Sequence, residues 1–173
     1  MERIDISVLM AVYKKDNPTF LRESLESIFS QTVEAAEVVL LEDGPLTEAL
    51  YDVIKSFVSR YPTLKVVPYP ENRGLGKTLN DGLQLCKYDI VARMDADDIC
   101  KPNRLEVEYN WLKAHEDYDV IGSWIDEFTD DKTQVKSIRK VPERYDEIQK
   151  YAQYRCPINH PTAMYRKAAV LAV

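Results

Sequence analysis

Ala92-Arg93-Met94-Asp95-Ala96-Asp97-Asp98 decides how this sequence is interpreted, because an apolar, strand-like run ends there in three acids. Carboxylates so close together repel one another. Oxygen-rich sites suit hard divalent cations such as Mg²⁺ or Mn²⁺, which also bridge to the oxygens of a diphosphate. The segment therefore indicates chemistry on a phosphorylated donor. The alternative is a solvated acidic loop that caps the next helix, since Asp is common in loops and at N-caps.

Composition limits the class of protein. The chain has 173 residues, of which 45% are hydrophobic and 30% charged, and this fits one ordinary soluble globular domain. A net charge of −6 argues against a nucleic-acid-binding protein, which needs a basic surface. Cys86, Cys100 and Cys156 are too widely spaced for a metal pair and too few for a disulfide framework, which favours the cytosol. The sequence as given shows neither a signal peptide nor a membrane-spanning run.

Apolar runs alternate with amphipathic segments through the N-terminal half of the chain. Asn17 can cap a helix that begins at Pro18. A later helix is predicted to stack Leu75, Leu79 and Leu83 on one face at a spacing of four residues. The predicted buried strands are 4–12, 38–41, 65–68 and 89–94, and the helices between them include 75–86.

The C-terminal half predicts a different pattern. A helix opens at Pro102, an antiparallel pair covers 120–128 and 134–141 around a polar turn at 129–132, and a helix at 142–154 has Tyr145, Ile148 and Ala152 as its apolar side. No repeat or linker divides the chain. The sequence therefore predicts a single α/β domain over 1–173, with a mainly parallel sheet flanked by helices that becomes mixed towards the C-terminus.

Polar residues follow each of the four predicted parallel strands. Ligands of such sheets bind beyond the carboxyl ends of the strands, which all lie at one edge. The residues expected to meet at this edge are Tyr13, Glu42 with Asp43, the 72–74 segment and the 95–98 segment.

Four segments in this order resemble the nucleotide-sugar-binding part of family 2 glycosyltransferases. They are Ser7-Val8-Leu9-Met10-Ala11-Val12-Tyr13, Val39-Leu40-Leu41-Glu42-Asp43-Gly44-Pro45, Asn72-Arg73-Gly74 leading to Asn80-Asp81-Gly82, and Met94-Asp95-Ala96-Asp97-Asp98. The resemblance covers nearly the whole chain and implies the GT-A fold, which is Rossmann-like. It also implies transfer of a sugar from a nucleotide-diphosphate donor, a UDP-sugar by preference, to the hydroxyl of a saccharide or lipid-linked acceptor. Inversion at the anomeric carbon and a role in bacterial polysaccharide or glycolipid synthesis are expected.

The resemblance also implies which residues hold the donor. The base is expected at Tyr13 and at Glu42 or Asp43, and Arg73 is expected to reach the base or a phosphate unless it pairs with Glu71 at the surface. The full set of expected donor-binding residues is Ala11, Val12, Tyr13, Glu42, Asp43, Asn72, Arg73, Gly74, Asp95 and Ala96. Family members commonly have proline in place of Ala11 and an aspartate pair in place of Glu42-Asp43, which leaves the identity of the base open.

Asp95 and Asp97 are the metal ligands that the resemblance implies, for Mn²⁺ or Mg²⁺, with Asp97 as the stronger candidate. Asp95 has an alternative role as a hydrogen-bond partner of the donor ribose. Asp98 has an alternative role as the cap of the next helix. His160 is expected on the acceptor side, with a structural hydrogen bond as its alternative role.

The family places the acid that deprotonates the acceptor shortly after a segment resembling 159–166. Because the chain stops at Val173 after an apolar run, we expect a GT-A domain truncated at its C-terminal end, with the catalytic base beyond Val173. The alternative is a terminal helix docked in the core. The full-length protein is expected in the cytoplasm, with peripheral association at the inner face of the membrane.

Other classes fit less well. Gly74-Leu75-Gly76-Lys77-Thr78 resembles part of a phosphate-binding P-loop, but that loop needs a glycine where Glu71 stands. A dinucleotide-binding fingerprint is absent after the first strand. A sugar-nucleotide nucleotidyltransferase and a catalytically inactive nucleotide-sugar-binding module remain as alternatives.

Overall fold

The computed structural model describes residues 2–129 and 131–172, which form one helix-flanked sheet and a small hairpin. The strands are β1 (Arg3–Val12), β2 (Glu34–Glu42), β3 (Leu64–Pro68), β4 (Ile90–Asp95), β5 (Val120–Ile121), β6 (Ile125–Glu127), β7 (Ser137–Arg139) and β8 (Met164–Arg166). The helices are α1 (Pro18–Phe29), α2 (Glu48–Val58), α3 (Leu75–Leu85), α4 (Arg104–Ala114), α5 (Tyr145–Ala152) and α6 (Lys167–Leu171).

The main sheet has six strands in the order β3-β2-β1-β4-β8-β5. The first four pair in parallel, and β8 is antiparallel to both of its neighbours. The prediction of a mainly parallel sheet that becomes mixed towards the C-terminus is therefore confirmed.

Helix α1 begins as its sequence predicts. Pro18 occupies the start of the helix, and the side chain of Asn17 accepts a 2.8 Å hydrogen bond from the backbone N–H of Thr19. This bond satisfies one of the free donors at the helix terminus. Leu21 and Leu25 are fully buried, and this apolar face of α1 joins the core.

Helix α3 is rotated relative to the prediction. Leu75 is 47% exposed, and the line that packs on the sheet contains Thr78, Gly82 and Leu83. A Cβ atom on Gly82 would lie 2.3 Å from Cδ1 of Leu41, so only glycine allows the helix this close to the sheet. The close approach of Gly82 to the sheet, and not the leucine spacing, determines which face of α3 is buried. The predicted stack of three leucines is therefore wrong for Leu75.

The two faces of β1 pack against different helices, because alternate side chains of a strand point to opposite sides. Ile6, Val8 and Met10 belong to the larger core, which includes apolar residues of α1, α2 and α4. Leu9 belongs to a smaller core that includes Leu83 of α3. The sheet is thus covered on both sides, as a parallel sheet requires.

The C-terminal part confirms the hairpin but shortens its strands. β6 pairs antiparallel with β7, whereas β5 joins the edge of the main sheet beside β8. Asp130, within the predicted turn at 129–132, lies outside the described residues, as does Val173. In α5 and α6, every residue of which is described, no side chain is buried, so the predicted apolar side of α5 does not pack into the core. Within the described ranges we find no helix with the length and apolar content of a bilayer span.

Candidate functional site

The four predicted polar segments meet at one edge of the sheet. In the parallel registers Val12 pairs with Glu42, Glu42 with Pro68, and Ala11 with Asp95. These pairs are the last residues, or nearly the last, of their strands. The segments that follow β1, β2, β3 and β4 therefore leave the sheet side by side, and we call this region the carboxyl edge.

Tyr13 opens the loop after β1, and its side chain is 39% exposed. The loop is closed by Asp16, whose carboxylate accepts a 2.9 Å hydrogen bond from the backbone N–H of Tyr13. Val12 is buried in the core, and its carbonyl oxygen accepts a bond from the backbone N–H of Asp43. Of the three donor contacts expected at the end of β1 and the start of its loop, Tyr13 offers a ring, whereas Val12 is buried and Ala11 is half-buried.

The carboxylate of Asp43 is fully engaged by its own chain. Its Oδ1 atom accepts bonds from the backbone N–H of Arg73 (2.7 Å) and the hydroxyl of Thr78 (2.9 Å). Its Oδ2 atom accepts bonds from the side-chain amide of Asn72 (3.0 Å) and the backbone N–H of Gly74 (3.1 Å). Asp43 therefore shapes the loop after β3. Of the two acids considered for contact with the base, Glu42 is the one whose side chain makes no hydrogen bond within the described residues.

Two glycines make this arrangement possible. Gly44 (φ +85°) and Gly74 (φ +84°) both lie in the left-handed region, which strains other residues. A Cβ atom at Gly44 would stand 2.6 Å from the backbone nitrogen of Asn72. The loops after β2 and β3 can touch because Gly44 has no side chain.

Arg73 does not pair with Glu71, so the alternative weighed for it is wrong. Its guanidinium forms an ion pair with Asp81 of α3 and lies 4.7 Å from the ring centroid of Tyr69. The same side chain is only partly buried. A planar cation stacked on an aromatic ring is thus held at the carboxyl edge with part of its surface open.

The acidic segment after β4 lies at the same edge, and its members differ in exposure. Asp97 is exposed, Asp95 and Asp98 are half-buried, and Ala96 is buried in the core, which leaves only its backbone for a ligand. Burial, and then the charges of Asp95 and Asp97, raise the pKa of Asp98. Helix α4 has Asn103 as its N-cap residue, so the interpretation of Asp98 as that cap is wrong.

Asp16 is a member of this cluster that sequence reasoning missed. Burial raises its pKa, the bond from Tyr13 opposes that effect, and the charges of Asp97 and Asp95 raise it further. The signal in the sequence was an acid in the loop that directly follows a parallel strand. Loops from β1 and β4 therefore bring four carboxylates close enough to feel one another's charge.

The carboxylates suit a divalent cation only together with other ligands. Within residues 2–129 and 131–172, no three His, Cys, Asp or Glu side chains come together to hold a metal ion. Mg²⁺ is commonly bound by one or two carboxylates, several waters and the phosphates of a substrate. Asp97, with Asp95 beside it, fits such a shared site.

Hydrogen bonds to three other parts of the chain fix the backbone that leads into the cluster. Ser24 of α1 donates a 2.8 Å bond to the carbonyl oxygen of Asp95, and Arg104 of α4 donates a 2.9 Å bond to that of Arg93. The backbone N–H of Arg93 bonds to the carbonyl oxygen of Ala163. The acids are thus presented by a rigid strand end, as a binding site requires.

His160 begins a short 3₁₀ turn (His160–Thr162) and is exposed. Partial desolvation of its ring by neighbouring groups, and then the charge of Arg93, lower its pKa, while Asp95 opposes this effect. The turn contacts β4, so His160 lies near the strand that leads into the acid cluster. The adjacent Asn159 anchors the turn through a 2.9 Å bond from its side-chain amide to the carbonyl oxygen of Ser123.

Comparison with known proteins gives one family. The family model described as "Glycosyl transferase family 2" matches residues 7–172. An uncharacterized glycosyltransferase of Haemophilus influenzae is 47% identical over 165 residues, which are 95% of this chain and 61% of that protein. The UDP-Gal:alpha-D-GlcNAc-diphosphoundecaprenol beta-1,3-galactosyltransferase of Escherichia coli is 41% identical over 167 residues, or 96% and 60%. The chain spans about three-fifths of the length of these relatives.

Solved structures share the architecture. S. aureus TarS (1–349) in complex with UDP-GlcNAc superposes with a TM-score of 0.73 at 20% identity, over 98% of this chain and 47% of that 1–349 chain. The mannosyltransferase PcManGT from Pyrobaculum calidifontis, in complex with GDP-Man and Mn²⁺, gives 0.68 at 17% identity, over 97% and 46%. At such identities the likeness shows the fold, and it confirms the expected GT-A architecture.

Proposed function

Because this chain belongs to glycosyl transferase family 2, we propose that it binds the nucleotide-diphosphate sugar donor of a sugar transfer to an acceptor hydroxyl. The observation that carries the proposal is the meeting of Tyr13, Arg73 and Asp97 at one edge of the sheet. An aromatic ring, a fixed cation and an acid cluster are the groups that recognise a base, a phosphate and a cation. Family membership also argues against the alternative of a sugar-nucleotide nucleotidyltransferase.

In this proposal each side chain has a defined task. The exposed ring of Tyr13 packs against the base, and Glu42, whose pKa is raised by burial, meets the polar edge of the base. The partly open guanidinium of Arg73 faces the phosphates or the base. Asp95 bonds a ribose hydroxyl, and Asp97 holds the cation.

The bound Mn²⁺ or Mg²⁺ would neutralise charge on the diphosphate leaving group while the anomeric carbon gains positive character. Asp97 is suited to hold it because its carboxylate is exposed, and Asp98 and Asp16 add negative potential nearby. His160 belongs to the turn that contacts β4, and we assign it to the acceptor side. Inversion of the anomeric centre and a base beyond Val173 stay predictions.

The names of the relatives and neighbours support a nucleotide-sugar donor. The E. coli relative is named for UDP-Gal, and the TarS structure contains UDP-GlcNAc. We therefore take a UDP-sugar as the first donor to test. The acceptor named for the E. coli relative is a saccharide on a lipid diphosphate, which supports a lipid-linked acceptor and work at the inner membrane surface in bacterial polysaccharide or glycolipid synthesis.

The test is calorimetric titration of the chain with UDP, with and without Mn²⁺. We expect Mn²⁺-dependent binding that Asp97→Ala weakens by roughly tenfold or more, equivalent to about 1.4 kcal/mol. Asp117→Ala, which removes an exposed acid after α4, is the matched control and should bind as the unaltered chain does. Binding of UDP with equal affinity in the absence of Mn²⁺, or in Asp97→Ala, contradicts the assignment.

The second candidate is a nucleotide-sugar-binding module without transfer activity. What favours it is that no described side chain stands out as the base that activates an acceptor. A donor-hydrolysis and transfer assay with UDP-Gal and UDP-GlcNAc separates the two functions. Release of UDP that depends on the acceptor supports the transferase, whereas tight UDP binding without release on a broad acceptor panel supports the module.

A further inference from the structure

Arg93 is a buried cation directly behind the acid cluster. It lies in β4, its side chain is 2% exposed, and its guanidinium forms an ion pair with the carboxylate of Asp95. Residues two apart in a strand point to the same face, so both side chains lie on the side that α3 covers, where Leu9 is the register partner of Arg93. Charged side chains are almost never buried in this way unless they are paired.

Asp95 is the one residue that forms an ion pair with Arg93 within the described part of the chain. A guanidinium carries five N–H donors, and here the Nη2 atom is the one that donates to Asp95. Nε and Nη1 are buried and find no acceptor among the described residues. Arg93 therefore cannot exchange Asp95 for another partner in its surroundings, and release of Asp95 would leave a buried charge without compensation.

Asp95 stands between this cation and the open edge. Its side chain is 29% exposed, its Oδ1 atom faces Arg93, and its backbone is fixed by the 2.8 Å bond from Ser24. Among the described residues, Oδ2 of Asp95 receives no hydrogen bond. One oxygen of the carboxylate is thus held from behind, and the other is available at the carboxyl edge.

We propose that Arg93 is a positioning residue for donor binding: it holds Asp95 in one orientation, so that the second carboxylate oxygen meets a hydroxyl of the nucleoside diphosphate. This inference rests on the proposed function. We therefore assign Asp95 to the nucleoside. A metal ion that drew the Asp95 carboxylate away would leave the buried charge of Arg93 without a partner. Asp97, which has no such partner among the described residues, is left to the cation. The positive charge of Arg93 also offsets part of the repulsion between the cluster and an anionic diphosphate.

Two measurements test the proposal on Arg93→Met, Arg93→Lys and the unaltered chain. The first is the orientation of Asp95 in crystals without nucleotide. We expect a single side-chain rotamer in the unaltered chain, several rotamers in Arg93→Met, and the original one restored in Arg93→Lys. An unchanged single rotamer of Asp95 in Arg93→Met overturns the proposal, and this result does not depend on nucleotide binding.

The second measurement is the affinity for UDP in the presence of Mn²⁺. Arg93→Met should weaken binding by roughly tenfold, the loss typical of a residue that supports a ligand-binding group, while Arg93→Lys should regain part of it. Methionine fills much of the same volume and brings no unpaired donor, so the thermal unfolding midpoint should stay close to the original value. Loss of thermal stability with unchanged affinity would mean a merely structural role and would overturn the proposal.

A double-mutant cycle shows whether Arg93 acts through Asp95. In the Asp95→Asn background, Arg93→Met should change the affinity for UDP less than about twofold, because the group it positions is already altered. Equal losses in both backgrounds contradict the mechanism. If the unaltered chain binds no UDP, the proposed function fails, and the orientation of Asp95 still decides whether Arg93 positions it.

Discussion

The hydroxyl of Thr78 donates a 2.9 Å hydrogen bond to Oδ1 of Asp43, which ties the end of β2 to helix α3. The same carboxylate accepts the backbone N–H groups of Arg73 and Gly74, so it organises the loop that presents Arg73. An acid that the sequence suggested for contact with a ligand thus has a structural task. The recognition groups at this edge depend on it.

Asp43→Asn should therefore destabilise the whole domain. The substitution removes the negative charge and turns an N–H₂ group towards donors, so several bonds to a buried, charged acceptor are lost. We expect the free energy of unfolding in urea to fall by about 3 kcal/mol. Asp81→Asn, which breaks a partly exposed ion pair with Arg73, is the control and should cost less than about 1 kcal/mol. Equal effects of the two variants would refute the structural task of Asp43.

Gly44→Ala and Gly76→Ala should have opposite effects on stability. Alanine at Gly44 would need a left-handed backbone and would bring its Cβ within 2.6 Å of the nitrogen of Asn72, which we expect to cost about 2 kcal/mol or more. A Cβ at Gly76 in α3 meets no atom within 4 Å among the described residues, so Gly76→Ala should raise stability by up to about 1 kcal/mol. Thermal unfolding of both variants checks the signs. A stabilising Gly44→Ala would mean that the two loops are not in contact.

The sequence was sufficient for the layout of the site because that layout depends on the sheet. Apolar runs located the parallel strands, and strands that pair in parallel must end at one edge. The sequence alone therefore predicts that Tyr13, Asp43, Arg73 and Asp97 lie at one edge. The start of α1 could also be predicted from the sequence, because Asn17 and Pro18 act within one turn of the chain.

What the sequence left open depends on distances between residues far apart in the chain. Arg73 pairs with Asp81, which lies eight residues further along the chain within α3, and not with the nearby Glu71. The rotation of α3 follows from the contact of Gly82 with Leu41, which no periodicity within the helix reveals. Asp16 joined the acid cluster in the same way, since its effect on Asp97 acts through space and not along the chain.

Asp98→Asn should stabilise the domain at neutral pH. Burial, and then the charges of Asp95 and Asp97, raise the pKa of Asp98 above its ordinary value of 3.8. A carboxyl whose pKa is raised in the folded state contributes stability below its unfolded pKa and loses that contribution as the pH rises through the folded pKa. At pH 7 the unaltered chain has lost this contribution, whereas the neutral amide keeps it. Urea unfolding should show that the variant has a higher free energy of unfolding than the unaltered chain at pH 7, and that this difference is smaller at pH 4. A difference that grows on acidification would contradict the prediction.

Glu108 predicts a second pH dependence, centred near neutrality. Its carboxylate bonds to Arg104 at 3.0 Å, yet burial outweighs that cation and raises the pKa of Glu108 to about 7. Its Oε1 atom finds no donor among the described residues, which is consistent with a poorly stabilised charge. Ionisation of Glu108 therefore costs the folded state more than the unfolded chain.

The sign follows from the same linkage. Stability that Glu108 contributes is complete below pH 4.5, the ordinary value, and is lost as the pH rises through about 7. Glu108→Gln stays neutral throughout, so its free energy of unfolding relative to the unaltered chain should rise between pH 4 and pH 8, by on the order of 3 kcal/mol. Urea unfolding across this range measures the difference, and Glu116→Gln, which changes an exposed acid just after α4, is the control. A difference that stays flat with pH would show that Arg104 keeps Glu108 ionised in spite of its burial.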